Sequence, residues 1–276
     1  MALYTLNFES QYLHNNTEVS VIMPDRPRMV EAEEFYGNGK KYSVLWLLHG
    51  TFGDHTDWIR HTNIELYACE RNLIVVMPSA LNSDYVNWPG FGMGYDMEKF
   101  MVKELMPMIY NWFPASKERE DNFIAGLSMG SMGAALFSTW YPEKFGASAW
   151  LSGCPQNWHT TRNLGSSTLP PSRRNENIID NEGGIEKLLN SHRNVWDRLK
   201  EMDRSALPRL FICSGTDDFL YENNYLVFKE YAQEIGLQAE FEELEGYTHE
   251  WRFWDKEIEK ALDFFSISNK DGGNAF

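Results

Sequence analysis

The chain has 276 residues, with 40 Asp and Glu against 25 Lys and Arg, and a formal net charge of −15. Its length fits one large α/β domain or two small ones. Because no stripe of Lys and Arg is present to neutralise phosphates, the sequence argues against a nucleic-acid-binding protein.

Strand-like and helix-like segments alternate along the whole chain. We predict strands at residues 3–10, 18–23, 42–48, 72–77, 122–127, 147–152, 210–214 and 238–244. The first two form an antiparallel hairpin at one edge, and the last alternates polar and apolar residues, as an edge strand does. This alternation predicts a mostly parallel central sheet with helices on both faces.

Apolar residues at helical spacing predict helices within residues 97–112, 185–202 and 258–265. Pro107 lies inside the first helix and predicts a kink or a break there. His192 falls on the apolar stripe of the second helix, so we expect it to be packed or half-buried. The tail at 269–276 is expected to fray.

Residues 154–208 contain no evident strand. The stretch opens with a polar loop that includes Pro170 and Pro171, and it lies between two strands whose ends should carry active-site loops. We predict a small cap-like insertion that walls a pocket, within a single domain spanning residues 1–276.

A Gly-x-Ser-x-Gly pentapeptide, Gly126 to Gly130, follows the strand at 122–127 and precedes a run of small residues. Glycines on both sides of Ser128 allow a tight strand-to-helix turn that exposes the serine hydroxyl. In the α/β-hydrolase fold this turn is the nucleophile elbow. The context therefore predicts that fold, with Ser128 as the nucleophile.

A serine nucleophile needs a base, and in this fold the chain order is Ser, then Asp or Glu, then His. Of the seven histidines, only His249 leaves room for a strand-end carboxylate after Ser128. Asp217 and Asp218 follow the strand at 210–214, and spacing alone does not separate them. We expect the one that is not used to cap the following helix.

The oxyanion of an acyl-transfer reaction needs two preorganised N–H donors. We predict the backbone N–H of Met129, at the start of the helix, and that of Thr51, in the loop after the strand at 42–48. His49 precedes the serine and is expected to brace this loop. Aromatic residues that are candidates for the substrate pocket, each of which could equally belong to the core, are Phe52, Trp58, Trp88, Trp158 and Tyr247.

The three cysteines, Cys69, Cys154 and Cys213, have apolar neighbours and no metal-binding spacing, which predicts buried free thiols in a reducing compartment. The N-terminus does not resemble a signal peptide, and no apolar stretch is long enough to span a bilayer. We therefore expect a cytoplasmic protein with no membrane partner. The oligomeric state is open, with a homo-oligomer among the alternatives.

His55 and His61 lack zinc-like spacing, and no dinucleotide or P-loop motif is present. The glycine-rich segment 90–94 is better interpreted as a flexible loop at the edge of the pocket. The sequence therefore predicts neither a metal nor a cofactor.

With these pieces together, nearly the whole chain resembles the esterase D family of α/β-hydrolases. The family includes tributyrin-type short-chain esterases, feruloyl and acetyl-xylan esterases, S-formylglutathione hydrolases and mycolyl transferases. The similarity rests on residues 47–50, 55–58, 126–130, 215–220 and 246–249. The resemblance implies that the triad acid is Asp218. S-formylglutathione hydrolases carry a cysteine-containing oxyanion loop, whereas this chain has Gly50-Thr51-Phe52-Gly53, which favours the tributyrin-esterase branch.

The sequence thus predicts a serine carboxylesterase that acts on small-molecule esters with short acyl groups, with acetyl and feruloyl among the candidates. An acyltransferase or a thioesterase could use the same triad. A non-catalytic binding protein on a hydrolase fold is the remaining alternative.

Overall fold

The computed structural model describes residues 2–160 and 173–267, and its centre is an eight-stranded sheet. The ten strands of the described chain are β1 (Ala2–Ser10), β2 (Asn15–Met23), β3 (Val44–Leu48), β4 (Ile74–Pro78), β5 (Asn87–Trp88), β6 (Tyr95–Asp96), β7 (Asn122–Leu127), β8 (Ala147–Leu151), β9 (Arg209–Gly215) and β10 (Glu240–Leu244). The strand order in the large sheet is β1-β2-β4-β3-β7-β8-β9-β10, while β5 and β6 form a separate hairpin.

The strands from β4 to β10 in this sheet run parallel, and the β1–β2 hairpin joins them antiparallel through β4. The predicted hairpin and the predicted edge strand therefore lie at opposite edges of the sheet. The mostly parallel sheet and its covering helices confirm the α/β-hydrolase fold.

Eleven α-helices connect the strands in the described residues. They are α1 (Ala32–Gly37), α2 (Asp57–His61), α3 (Ile64–Glu70), α4 (Met97–Lys99), α5 (Met106–Trp112), α6 (Met129–Trp140), α7 (Arg174–Glu182), α8 (Ile185–Leu189), α9 (Val195–Glu201), α10 (Leu226–Glu234) and α11 (Trp251–Phe264). Two π-helical segments, Phe100–Leu105 and Tyr221–Tyr225, and three short 3₁₀ turns, Arg119–Asp121, Pro142–Lys144 and Arg204–Ala206, complete the set.

The core has two layers because side chains on the strands alternate between the faces of the sheet. Along β3, Trp46 and Leu48 pack into the layer that includes α4 to α6, whereas Leu45 and Leu47 pack into the layer beneath α3 and α11. Every residue of β3, β4, β7 and β8 is buried, as expected for strands covered on both faces.

The predicted helix at 185–202 is wrong as a single helix. It is divided into α8 and α9 by a turn, and Asn194 caps α9 by accepting a hydrogen bond from the Asp197 N–H. His192 lies in this turn, not on an apolar stripe. Its half-exposed ring stacks on Trp140 and bonds to Glu98.

Other helix boundaries also differ from the predictions. The π-helical segment Phe100–Leu105 ends two positions before Pro107, so the predicted interruption takes the form of a wider helical turn and not a break. The last helix begins at Trp251, seven positions before Ile258, the first residue of the apolar stripe from which it was predicted. The predicted fraying of 269–276 and the Pro170-Pro171 loop lie outside the described residues.

Candidate active site

Ser128 lies between β7 and α6 with φ 52° and ψ −114°, a strained backbone conformation for a residue with a side chain. The flanking glycines are needed for close packing. A Cβ on Gly126 would lie 2.3 Å from the Gly130 carbonyl oxygen, and one on Gly130 would lie 2.4 Å from the Leu48 carbonyl oxygen. Neither glycine has a positive φ, so the strain is carried by the serine itself.

His249 and Asp218 form a hydrogen-bonded pair. His249 follows β10 and Asp218 follows β9, and His249 Nδ1 lies 2.8 Å from Asp218 Oδ2. The Asp218 carboxylate is buried and also accepts the Leu220 N–H at 2.9 Å. A carboxylate at Nδ1 fixes the tautomer that leaves Nε2 free to accept a proton.

Asp217 has a different role from the one expected. Its carboxylate accepts a hydrogen bond from Thr216 Oγ1 at 3.3 Å, and the following helical segment has no side-chain cap. The Asp217 N–H donates to the Tyr247 carbonyl, which ties the loop after β9 to the loop after β10. The predicted helix cap is therefore wrong, and the difference arises because the turn after β9 orients Asp218, not Asp217, towards His249.

A cavity of about 860 Å³ opens at the carboxyl ends of the central strands. Ser128, His249, Thr51 and Met129 all line it, while Asp218 lies behind the histidine. No hydrogen bond joins the Ser128 hydroxyl to His249 within residues 2–160 and 173–267. The structure therefore brings both groups to one cavity without a hydrogen bond between them.

The two predicted oxyanion donors are unpaired. Neither the Thr51 N–H nor the Met129 N–H has a hydrogen-bond partner in the described part of the chain. The next N–H, that of Phe52, is taken by Asn82 Oδ1 at 2.8 Å. The Thr51 hydroxyl accepts a hydrogen bond of 3.0 Å from Arg174 in α7.

His49 lies beneath this loop and is buried. Its Nε2 accepts the Ala80 N–H at 2.9 Å and its Nδ1 donates to the Gly50 carbonyl at 2.6 Å. Burial lowers the pKa of His49 to about 4, so the ring stays neutral near neutral pH and keeps both bonds. This arrangement fits the predicted bracing role.

The pocket aromatics divide into two groups. Phe52, Trp88 and Trp158 line the cavity. Trp58 and Tyr247 do not line it, and the prediction for these two needs correction. Trp58 is buried because its indole N–H donates to the Leu48 carbonyl, and Tyr247 packs against the layer beneath α11.

Several lining residues were missed by sequence reasoning. They are Trp196, Phe219, Trp251 and Trp254, with Arg174 and Arg193 from the insertion. Trp251 and Trp254 lie in the first turn of α11, before the apolar stripe from which that helix was predicted. Phe219 follows β9 and Arg174 begins α7, and apolar spacing gives no signal for either position. The glycine-rich segment 90–94 connects β5 and β6 and contributes no residue to the cavity lining.

All three cysteines are free and buried, as predicted, and none of them lines the cavity. No group of three or more His, Cys, Asp or Glu side chains in residues 2–160 and 173–267 is arranged to hold a metal ion. Among the described helices, none combines the length and apolar character that crossing a membrane requires.

A sequence model of the Esterase family, described as "Putative esterase", matches residues 10–265. The chain belongs to this family. An acetyl esterase from Caldicellulosiruptor saccharolyticus is 30% identical over 96% of this chain and 98% of its own.

Two solved structures from Staphylococcus aureus resemble the whole chain. FphF, a fluorophosphonate-binding serine hydrolase, has a TM-score of 0.80 at 29% identity, covering 96% of this esterase and 98% of FphF. The S-formylglutathione hydrolase FrmB has a TM-score of 0.77 at 28% identity, with the same coverage. Its family and these relatives show that the chain is a serine hydrolase that acts on ester bonds.

Proposed function

We propose that this esterase is a serine carboxylesterase for short-chain acyl esters, with Ser128, His249 and Asp218 as its catalytic triad. The observation that carries the proposal is the 2.8 Å bond between His249 and the buried Asp218, at a cavity that also contains the strained Ser128. A serine is activated by a histidine base that a carboxylate orients.

In the proposed reaction, the Ser128 oxygen attacks the ester carbonyl while His249 Nε2 takes the hydroxyl proton. Catalytic hydrogen bonds are often long or poorly aligned in enzymes without substrate, and a rotation of the Ser128 side chain would form the bond to Nε2. Asp218 stabilises the imidazolium. The alcohol leaves with the proton from His249, and water activated by the same histidine then hydrolyses the acyl-enzyme.

The tetrahedral intermediate carries a negative charge on the former carbonyl oxygen. The unpaired N–H groups of Thr51 and Met129 would donate to that oxygen, and the start of α6 adds the positive end of a helix dipole. Removal of one such donor typically lowers kcat by about 10²–10³.

The relatives and the cavity support the proposed substrate class. One relative is named an acetyl esterase, which supports acetyl and similar short acyl groups. The mainly apolar, aromatic-rich lining fits these groups and also allows a feruloyl ring as an alternative. We also propose that residues 154–208 form the cap, because α7 and α9 of this stretch supply lining residues.

A thioesterase is the second candidate, because the S-formylglutathione hydrolase FrmB shares the whole fold. An acyltransferase would use the same residues with an alcohol in place of water. Initial rates with S-formylglutathione, with methyl ferulate and with 4-nitrophenyl esters of increasing acyl length separate thioesterase from esterase activity. Product analysis in the presence of added alcohol acceptors detects acyl transfer.

The decisive experiment replaces the nucleophile. Ser128→Ala is expected to abolish hydrolysis of 4-nitrophenyl acetate and labelling by a fluorophosphonate probe, while the melting temperature stays close to that of the wild type. Ser138→Ala is the matched control, since that hydroxyl bonds within α6 and is absent from the cavity lining. Wild-type turnover in the Ser128→Ala protein would refute the triad.

A further inference from the structure

A buried guanidinium lies in the cavity wall and has no role in the proposed triad. Arg193, in the turn between α8 and α9, is only 8% exposed and lines the cavity. Its Nε donates to Glu182 Oε1 at 3.0 Å. Its two terminal nitrogens are buried and have no hydrogen-bond partner among the residues that the structure describes. A guanidinium has five N–H donors, so four of them are unused.

The charge of Arg193 is already balanced. Its Nη1 lies 3.5 Å from Asp84 Oδ2, within ion-pair range although not in hydrogen-bond geometry, and Glu182 holds the other side. Arg174 also pairs with Asp84, so two arginines face two carboxylates. An anionic ligand at Arg193 would meet the charges of Asp84 and Glu182, whereas a neutral oxygen would not.

The guanidinium lies over an aromatic ring that is itself held in place. Its central carbon lies 5.2 Å from the centre of the Trp88 ring, and the Trp88 indole N–H is held by the Ser83 carbonyl at 2.7 Å. Trp88 in turn packs with the buried Trp158, Ile178 and Leu188. The unused donors therefore lie beside both the Trp88 ring and the Asp84 carboxylate, and buried polar groups without a hydrogen bond are costly.

We propose that Arg193 is a specificity-determining residue that donates hydrogen bonds to an uncharged oxygen of the substrate, away from the ester that is cleaved. The favoured substrates are then esters whose acyl or alcohol part carries an ether, hydroxyl or carbonyl oxygen on an otherwise apolar skeleton. This inference rests on the proposed function, and it adds a substrate preference that the triad does not determine.

The test compares esters that differ by one ring oxygen. Tetrahydropyran-4-yl acetate is paired with cyclohexyl acetate, and methyl tetrahydropyran-4-carboxylate with methyl cyclohexanecarboxylate. Each kcat/KM is divided by the rate of alkaline hydrolysis of the same ester, which removes differences in intrinsic reactivity. The wild-type enzyme is expected to prefer the oxygen-containing member of at least one pair by about tenfold or more, as hydrogen bonds to charged donors allow.

Arg193→Met keeps an unbranched side chain and removes its donors, so the preference should fall to about parity. If this variant does not fold, Arg193→Lys keeps the charge between Asp84 and Glu182 and should reduce the preference at least about threefold. Arg198→Met is the matched control, since that guanidinium lies on Trp140 and is absent from the cavity lining. It should keep the wild-type ratio.

Parity in both pairs for the wild type, or a preference that survives in the Arg193 variants, would overturn the inference. A higher kcat/KM for trans-4-acetoxycyclohexanecarboxylate than for the tetrahydropyranyl ester would also overturn it, because a charged ligand would then be preferred. These outcomes leave the triad intact if turnover still requires Ser128. Turnover that is independent of Ser128 instead refutes the proposed function.

Discussion

Gly130→Ala should damage the active site through the backbone alone. A Cβ at this position would lie 2.4 Å from the Leu48 carbonyl oxygen and 2.6 Å from that of His49. Real Cβ contacts are essentially never shorter than 3.0 Å, so α6 and the end of β3 must separate by roughly 0.6 Å at least. Both neighbours are backbone atoms in the core, where no side chain can rotate away.

This displacement separates the two proposed oxyanion donors, because Met129 begins α6 and Thr51 follows β3. Misplacement of catalytic groups by about 1 Å can cost about 10²-fold in rate. We therefore expect kcat/KM for 4-nitrophenyl acetate to fall by about 10–10²-fold, mainly in kcat. Overpacking should also lower the free energy of unfolding by about 1–3 kcal/mol.

Steady-state kinetics and thermal melts of the purified variant measure the two effects. Gly37→Ala is the control, since a Cβ there meets no atom within 4 Å and φ is not positive. Its kinetics and melting temperature should match those of the wild type. A Gly130→Ala enzyme with wild-type kcat would contradict the close-packing argument.

Two further predictions address the acid of the triad and a buried carboxyl. Asp218→Asn should lower kcat by about 10³–10⁴, because the bond to His249 Nδ1 is lost. Asp217→Asn should change kcat by no more than a factor of about three. An equal loss of kcat in both variants would contradict the assignment of Asp218. Glu257 is fully buried in α11, and burial raises the pKa of its carboxyl above the ordinary 4.5 in spite of Lys260 at 3.2 Å. The folded state therefore holds this proton more tightly than the unfolded state, and ionisation above pH 4.5 costs stability. Relative to the wild type, Glu257→Gln should gain stability as the pH rises from 4 to 8 in urea titrations, and a constant difference would count against it.

Sequence reasoning located the elbow because its signals are local. The elbow signal is contiguous: a strand is followed by glycine, serine, glycine and a run of small residues. The order of triad residues along the chain then identifies His249 as the base. The choice between Asp217 and Asp218 was different, since both follow the same strand. It depends on the direction of the turn after β9, in which the Asp218 N–H donates to the Gly215 carbonyl.

The errors concern tertiary contacts and helix ends. Nothing local shows that the Trp58 indole N–H reaches the Leu48 carbonyl, which places the ring in the core. The apolar spacing continued from α8 into α9 and concealed the turn between them. Asn194, three residues before Asp197, was a capping signal that outweighs periodicity at that point.

The elbow and one part of the cavity wall have separate structural origins. Ser128 is held by the packing of α6 against the ends of β3 and β7, whereas Trp158, Arg174 and Arg193 come from the stretch between β8 and β9. Exchange of that stretch can therefore alter which esters enter without moving the nucleophile. A scaffold divided in this way can acquire new substrates while its reaction chemistry stays the same.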